Sequence, residues 1–148
     1  MQSVVTLPLI LLWTTMIVGQ QPSSSWCRLD VSSGAASPTE LQVAVWNLQE
    51  APVVVYRTVP EFDIRIRIVG EDGQEPELTG YARQRRDQAR GGSMVMITLK
   101  QGASMAQALD LSKLYVLKKG TYAVVVFRDV FIAEKRIELQ SKTNLNVP

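Results

Sequence analysis

Phe62-Asp63-Ile64-Arg65-Ile66-Arg67-Ile68-Val69 is the stretch that decides the fold. Phe62, Ile64, Ile66 and Ile68 alternate with Asp63, Arg65, Arg67 and Val69, a period of two. That period puts one greasy face and one charged face on a β-strand of antiparallel character. The same period recurs outward in both directions. Upstream, Leu41, Val43 and Val45 alternate with Gln42, Ala44 and Trp46, and Val53 to Tyr56 is a β-branched run opened by Pro52. Downstream, Glu71-Asp72-Gly73-Gln74 carries the Asp-Gly hairpin signal, with Leu78 to Tyr81 as the expected return strand. Met94, Met96 and Thr98 alternate with Val95, Ile97 and Leu99. Lys100-Gln101-Gly102 turns the chain, and Ser104 to Leu109 continues extended. Thr121 to Phe127 is β-branched on both faces, which predicts a central strand. Arg136 to Gln140 and Lys142 to Val147 close the chain as two further strands.

Short strands separated by turn residues predict an all-β antiparallel sandwich of about seven or eight strands. Helical spacing is expected only at Leu111 to Leu117, where Leu111, Leu114 and Tyr115 suit a single turn.

The N-terminus reads differently. Val4 to Val18 is an uncharged, Leu-rich run of about 15 residues, short of the roughly 20 that span a bilayer. It has the form of a secretory signal peptide, residues 1–19, cut after Gly19. It departs from that form in having no Lys or Arg before the apolar run, and an uncleaved anchor is the alternative. Gln20 to Ser25 reads as a flexible leader (residues 20–25), and the sandwich as residues 26–148. The expected location is periplasmic or extracellular, with no membrane contact after cleavage. A lipid attachment at Cys27 is disfavoured by bulky Trp26 directly before it.

Composition removes whole classes of chemistry. The chain holds 148 residues, 46% of them hydrophobic, which supplies a core and excludes disorder. It has no histidine. Ser-His-Asp and Cys-His catalysis, histidine metal sites and histidine pH switches are therefore unavailable. The single cysteine, Cys27, forms no disulfide within the chain. It is either a buried small apolar residue, the expected state, or an accessible thiol. Sixteen Lys+Arg against 14 Asp+Glu leave a net charge of +2, too small an excess to predict nucleic-acid binding.

Candidate constellations are few. Arg83, Arg85, Arg86 and Arg90, followed by Gly91-Gly92, form a possible interaction loop for an anion or an acidic partner. The competing reading is a solvated loop between strands, offset by Asp87 and the acidic residues Glu71, Asp72, Glu75 and Glu77. The turn Glu71 to Glu75 lacks the spacing of a calcium loop. Glu61 and Asp63 share a face if both lie on a strand, without any sign of paired-carboxylate chemistry. Lys118-Lys119-Gly120 is a turn and lacks the phosphate-loop pattern. Trp26, Trp46 and Tyr56 would make a carbohydrate platform only if exposed together, and Trp46 is expected in the core. Leu117, Gly120 and Tyr122 suit a structural corner in which the Tyr122 hydroxyl bonds back to nearby backbone. No catalytic residue, metal ligand or cofactor is predicted.

From Leu99 to Val126 the chain includes Asp110-Leu111-Ser112-Lys113-Leu114-Tyr115-Val116-Leu117-Lys118-Lys119-Gly120-Thr121-Tyr122. This stretch resembles the signature of immunoglobulin-like β-domains in secreted proteins. The best-known relatives with that signature are the N-terminal β-domains of deuterolysin-type metalloproteases. Leu78-Thr79-Gly80 and the strand Val43 to Asn47 are similar to that pattern too. The resemblance implies an immunoglobulin-like sandwich. It does not imply peptidase activity, because the zinc-binding H-E-x-x-H motif of those proteases, carried on a separate helical domain, is absent. The expected role is a non-enzymatic binding or structural module with a protein partner. The alternatives are a proteinase-inhibitor-like β-domain and a carbohydrate-binding module.

Overall fold

The computed structural model describes residues 26–87 and 93–148. The expected signal peptide (1–19) and leader (20–25) lie outside the described residues, as does Arg90. Eight antiparallel strands form two facing sheets. The first sheet has three strands, β1 (Cys27–Ser33), β2 (Glu40–Asn47) and β6 (Ser104–Asp110), in the order β1-β2-β6. The second has five: β3 (Val53–Arg57), β4 (Ile64–Gly70), β5 (Val95–Leu99), β7 (Gly120–Ile132) and β8 (Lys135–Val147).

β7 organises the second sheet. It pairs with β8 along its whole length, from Gly120 opposite Val147 to Ile132 opposite Lys135. A strand has two edges, so β4 and β3 share the other in succession. Ile64 faces Arg128 and Val54 faces Phe131. Ten steps of chain from Val54 to Ile64 therefore match only three steps along β7. The excess is folded into α1 (Pro60–Asp63), a single turn between β3 and β4. β5 then pairs with β3 and forms one edge of the sheet.

The core follows the alternation. Leu41, Val43 and Val45 from β2 and Met105 and Leu109 from β6 meet the inward residues of the other sheet. Those are Val53, Val55, Ile64, Ile68, Val124, Val126 and Val130, all buried. Burying a side chain of this size contributes about 1.5–3 kcal/mol, and that sum holds the two sheets together. Cys27 is buried as well, and loss of water pushes its thiol pKa up. No helix among the described residues is long and apolar enough to cross a membrane.

Five expectations are corrected. Phe62 and Asp63 belong to α1, and the strand starts at Ile64. Pro60 opens that helix with its fixed φ. The Asp63 carboxylate accepts from Thr58 N–H at 2.7 Å and Thr58 Oγ1 at 2.6 Å, which closes the turn. Leu78 to Tyr81 is not a return strand: Leu78 makes one bridge to Tyr115, and Gly80–Asp87 is helix α2. Thr79 starts that helix, its Oγ1 accepting from Ala82 N–H at 3.1 Å. Arg83, Arg85 and Arg86 are therefore on a helix and not in a loop between strands. The two closing strands are one, β8, because Ser141 and Thr143 continue the alternation inward. Its hairpin with β7 turns on Ala133 and Glu134, with φ of 46° and 64°. Two consecutive positive φ values are what a two-residue hairpin of matching twist requires, usually from Asn or Gly. Finally, Trp46 is not in the core. It shares the outward face of β2 with Gln42 and Ala44, as the parity of buried Leu41, Val43 and Val45 demands.

Candidate docking surface

The outer face of the five-stranded sheet carries an apolar spine. Along β7 the outward residues are Ala123, Val125, Phe127, Asp129 and Phe131, alternating with the buried ones. Register extends the spine sideways. Phe131 sits opposite Val54, and Val54 opposite Thr98; Tyr56 sits opposite Met96. Tyr56 and Phe131 meet edge to face with ring centroids 5.0 Å apart, the favoured geometry for two rings. Met96 is 62% exposed, and its neighbours Met94 and Val95 are similarly bare. No layer of the described residues covers this face.

Charged residues border the spine. Arg65 of β4 lies opposite Phe127, with its guanidinium 5.8 Å from the ring centroid. The same guanidinium reaches Asp129 at 3.0 Å and Glu138 at 2.6 Å. The hydrogen bond to Glu138 leads the effects that hold Arg65 more firmly protonated than usual. Arg136 pairs with the other oxygen of Asp129 at 2.8 Å. Arg67 and Lys142 flank Val125 from the two neighbouring strands.

Beneath this face a buried polar clamp joins the sheets. Arg128 of β7 is 4% exposed, yet its guanidinium has partners on three elements. It donates to the Asp63 carbonyl at 3.0 Å, the Tyr56 carbonyl at 2.7 Å and Gln107 Oε1 at 3.2 Å. Gln107 Nε2 in turn donates to Asp63 Oδ2 at 2.9 Å, and Arg128 lies 3.7 Å from that oxygen. Asp63 is thus a structural carboxylate between β6 and β7, where burial demands satisfied partners. Glu61 has no part in this clamp. Alternation alone did not reveal it, since Arg128 breaks an otherwise apolar run of inward residues. That break was the available signal.

The arginine segment is divided by its helix. Arg85 is held between Phe62 and Tyr81, 4.7 Å and 5.3 Å from their ring centroids, and donates to Tyr81 Oη at 3.0 Å. Arg83 and Arg86 are exposed. Buried Tyr115 connects this helix to the acidic strip. Burial chiefly raises its phenol pKa; Glu75 adds to the rise, and Arg86 opposes it.

Glu71, Asp72, Glu75, Glu77, Lys118 and Lys119 line an open groove of about 400 Å³. Its carboxylates are partly committed to backbone: Glu71 accepts from Thr121 N–H at 3.2 Å and Asp72 from Gln74 N–H at 2.9 Å. Among the described residues no three His, Cys, Asp or Glu side chains converge as metal ligands. At the end of the groove stands the corner. The Tyr122 hydroxyl accepts from Lys118 N–H at 2.8 Å and donates to the Lys118 carbonyl at 2.9 Å. Gly120 permits the entry with a φ of 145°.

The three aromatic residues considered for a carbohydrate platform occupy three different places. Trp26 packs against the edge of the core. Trp46 lies on the outer face of the three-stranded sheet and Tyr56 on that of the five-stranded sheet.

No family model matches the chain, and no curated protein matches it. Among solved structures it is similar to the GAE domain of GGA2p from Saccharomyces cerevisiae. The identity is 14% over 88% of this chain and 96% of that one, with a TM-score of 0.33. The sandwich stands on its own ladders, and the likeness adds nothing about function.

Proposed function

We propose that this chain is an exported, non-catalytic β-sandwich module of immunoglobulin-like type that binds a protein through the outer face of its five-stranded sheet. The observation that carries the reading is the half-buried apolar spine of Val125, Phe127 and Phe131, with Tyr56 and exposed Met96 beside it. Aromatic side chains ringed by arginine are the composition of protein-binding centres. The absence of histidine from the sequence, and the resemblance of Leu99 to Val126 to the β-domains of secreted proteins, support a binding role over catalysis. The uncharged run Val4 to Val18 supports export to the periplasm or the exterior, with cleavage after Gly19.

The test compares the tagged chain with Phe127→Ser, each expressed in its own host and crosslinked there. The expected result is a crosslinked protein product for the wild type, lost in the variant while a cooperative melt shows that the variant is still folded. An identical product from both removes the sheet face as the binding site. Mass spectrometry of the exported protein should find a first residue between Gln20 and Ser24. Intact Met1 in a membrane fraction would support the anchor instead.

A further inference from the structure

The charges on this face are not balanced. Arg65 and Arg136 are met by Asp129 and Glu138. Arg67 and Lys142 are not: among the described residues no carboxylate lies within 4.0 Å of either. Both are exposed. They stand in one register row, Arg67 opposite Val125 and Val125 opposite Lys142. Two strand spacings, about 10 Å, separate their backbones. Half-buried Val125 lies between them, and Phe127 is the next outward residue along β7.

We propose that this row docks an acidic protein segment. Its apolar side chains would rest on Val125 and Phe127, and its flanking carboxylates would meet Arg67 and Lys142. The inference rests on the binding-module reading and adds the sign and layout of the partner. Two unpaired cations on either side of an apolar residue complement an apolar residue between carboxylates. The planar guanidinium of Arg67 suits a carboxylate geometrically, since it offers two parallel N–H donors. A nucleic-acid backbone is a poorer match. Asp129 and Glu138 share the face, and the whole chain carries a charge of only +2, so long-range attraction to polyphosphate is weak.

Fluorescence polarisation of the exported chain with labelled peptides tests the idea. The probes are Glu-Glu-Val-Phe-Val-Glu-Glu and its Gln and Lys counterparts, in about 0.05 M salt, where charges act over more than 10 Å. The acidic peptide should bind roughly tenfold more tightly than the Gln peptide, and the Lys peptide should bind least. Arg67→Glu with Lys142→Glu should remove that preference without lowering the melting temperature. Arg83→Gln with Arg86→Gln on α2 should leave it intact.

Equal affinity for the acidic and Gln peptides, no measurable binding of the acidic peptide, or indifference to the double reversal overturns the proposal. So does tighter binding of single-stranded DNA, or of phosphatidylserine vesicles, lost in the same reversal; the row would then be a phosphate site. Failure of the acidic peptide while Phe127→Ser still abolishes the crosslinked product would refute the acidic partner alone and leave the sheet face as the docking site.

Discussion

The sandwich turns two outer faces to solvent, and they differ in how much apolar area and unpaired charge they leave, although each carries an arginine over an aromatic ring. On the three-stranded sheet the outward rows read Arg28-Trp46-Ser104, Asp30-Ala44-Ala106 and Ser32-Gln42-Ala108. Trp46 is the one large apolar residue there, and the Arg28 guanidinium covers it at 5.4 Å while pairing with Asp30 at 2.9 Å. Every charge in those rows has a partner, and the remaining side chains are small. On the five-stranded sheet the rows read Arg67-Val125-Lys142, Arg65-Phe127-Gln140 and Thr98-Val54-Phe131-Arg136. Large apolar groups stay partly bare and two cations stay unpaired. Solvent alone favours the first plan. The second wastes apolar area that a partner would cover, which is why the binding reading belongs on that side.

The largest expected effect breaks both faces at once. Asp63→Ala strips the carboxylate from the clamp and leaves Arg128 buried without it. Removing one partner of a buried ion pair costs about 3–5 kcal/mol, read as a shift of the urea midpoint. A loss under about 1 kcal/mol would mean that the Asp63 and Tyr56 carbonyls and Gln107 suffice for Arg128.

Next comes the contrast between the two sides of one strand. Ile68→Ala, with Ile68 fully buried, should cost about 2–5 kcal/mol through lost burial and a cavity. Arg67→Ala, exposed on the opposite side, should stay within about 0.5 kcal/mol. Equal costs in the same melt would overturn the β4 register.

The sharpest test of the two plans is a pair of outward substitutions. Phe127→Ser and Trp46→Ser each remove a half-buried aromatic ring from an outer face, and only the first should abolish the crosslinked product. Loss with both variants would mean that the contrast between the faces has no functional meaning.

Much of this was legible before the structure. Ile64 to Ile68, Leu41 to Val45 and Thr121 to Phe127 declare their strands because a period of two has one physical cause, a sheet with a wet side and a dry side. What stayed hidden depended on single side chains acting on backbone. Thr79 turns an expected strand end into a helix start, and Pro60 with Asp63 folds a turn into what reads as continuous strand. The docking face was hidden for a different reason. Val54 with Tyr56, Met96, and Phe131 with Arg136 come from three stretches distant in sequence, and only the register makes them neighbours. Of the four arginines singled out by sequence, Arg85 is spent on Phe62 and Tyr81. In the sequence Arg65 and Arg67 mark only a charged strand face.

The smallest effect tests whether the three-stranded sheet is also satisfied at its end. Asp110 terminates β6 and caps α3 (Leu111–Leu114), accepting from Ser112 N–H at 3.0 Å, Ser112 Oγ at 2.7 Å and Thr39 Oγ1 at 2.8 Å. Burial alone would raise its pKa. The hydrogen bonds from Ser112 and Thr39, together with nearby Lys113, outweigh burial and hold the carboxyl below its ordinary value. A carboxyl depressed in the folded state contributes stability above its unfolded pKa of about 3.9, and that contribution is lost as pH falls through the folded value. Asp110→Ala should therefore cost about 1 kcal/mol at pH 7, the usual worth of a helix cap. The gap between wild type and variant should narrow as the pH drops below about 4. A gap that stays constant from pH 7 to pH 3 would mean that the oxygen's shape, and not its charge, holds the corner where β2, β6 and α3 meet.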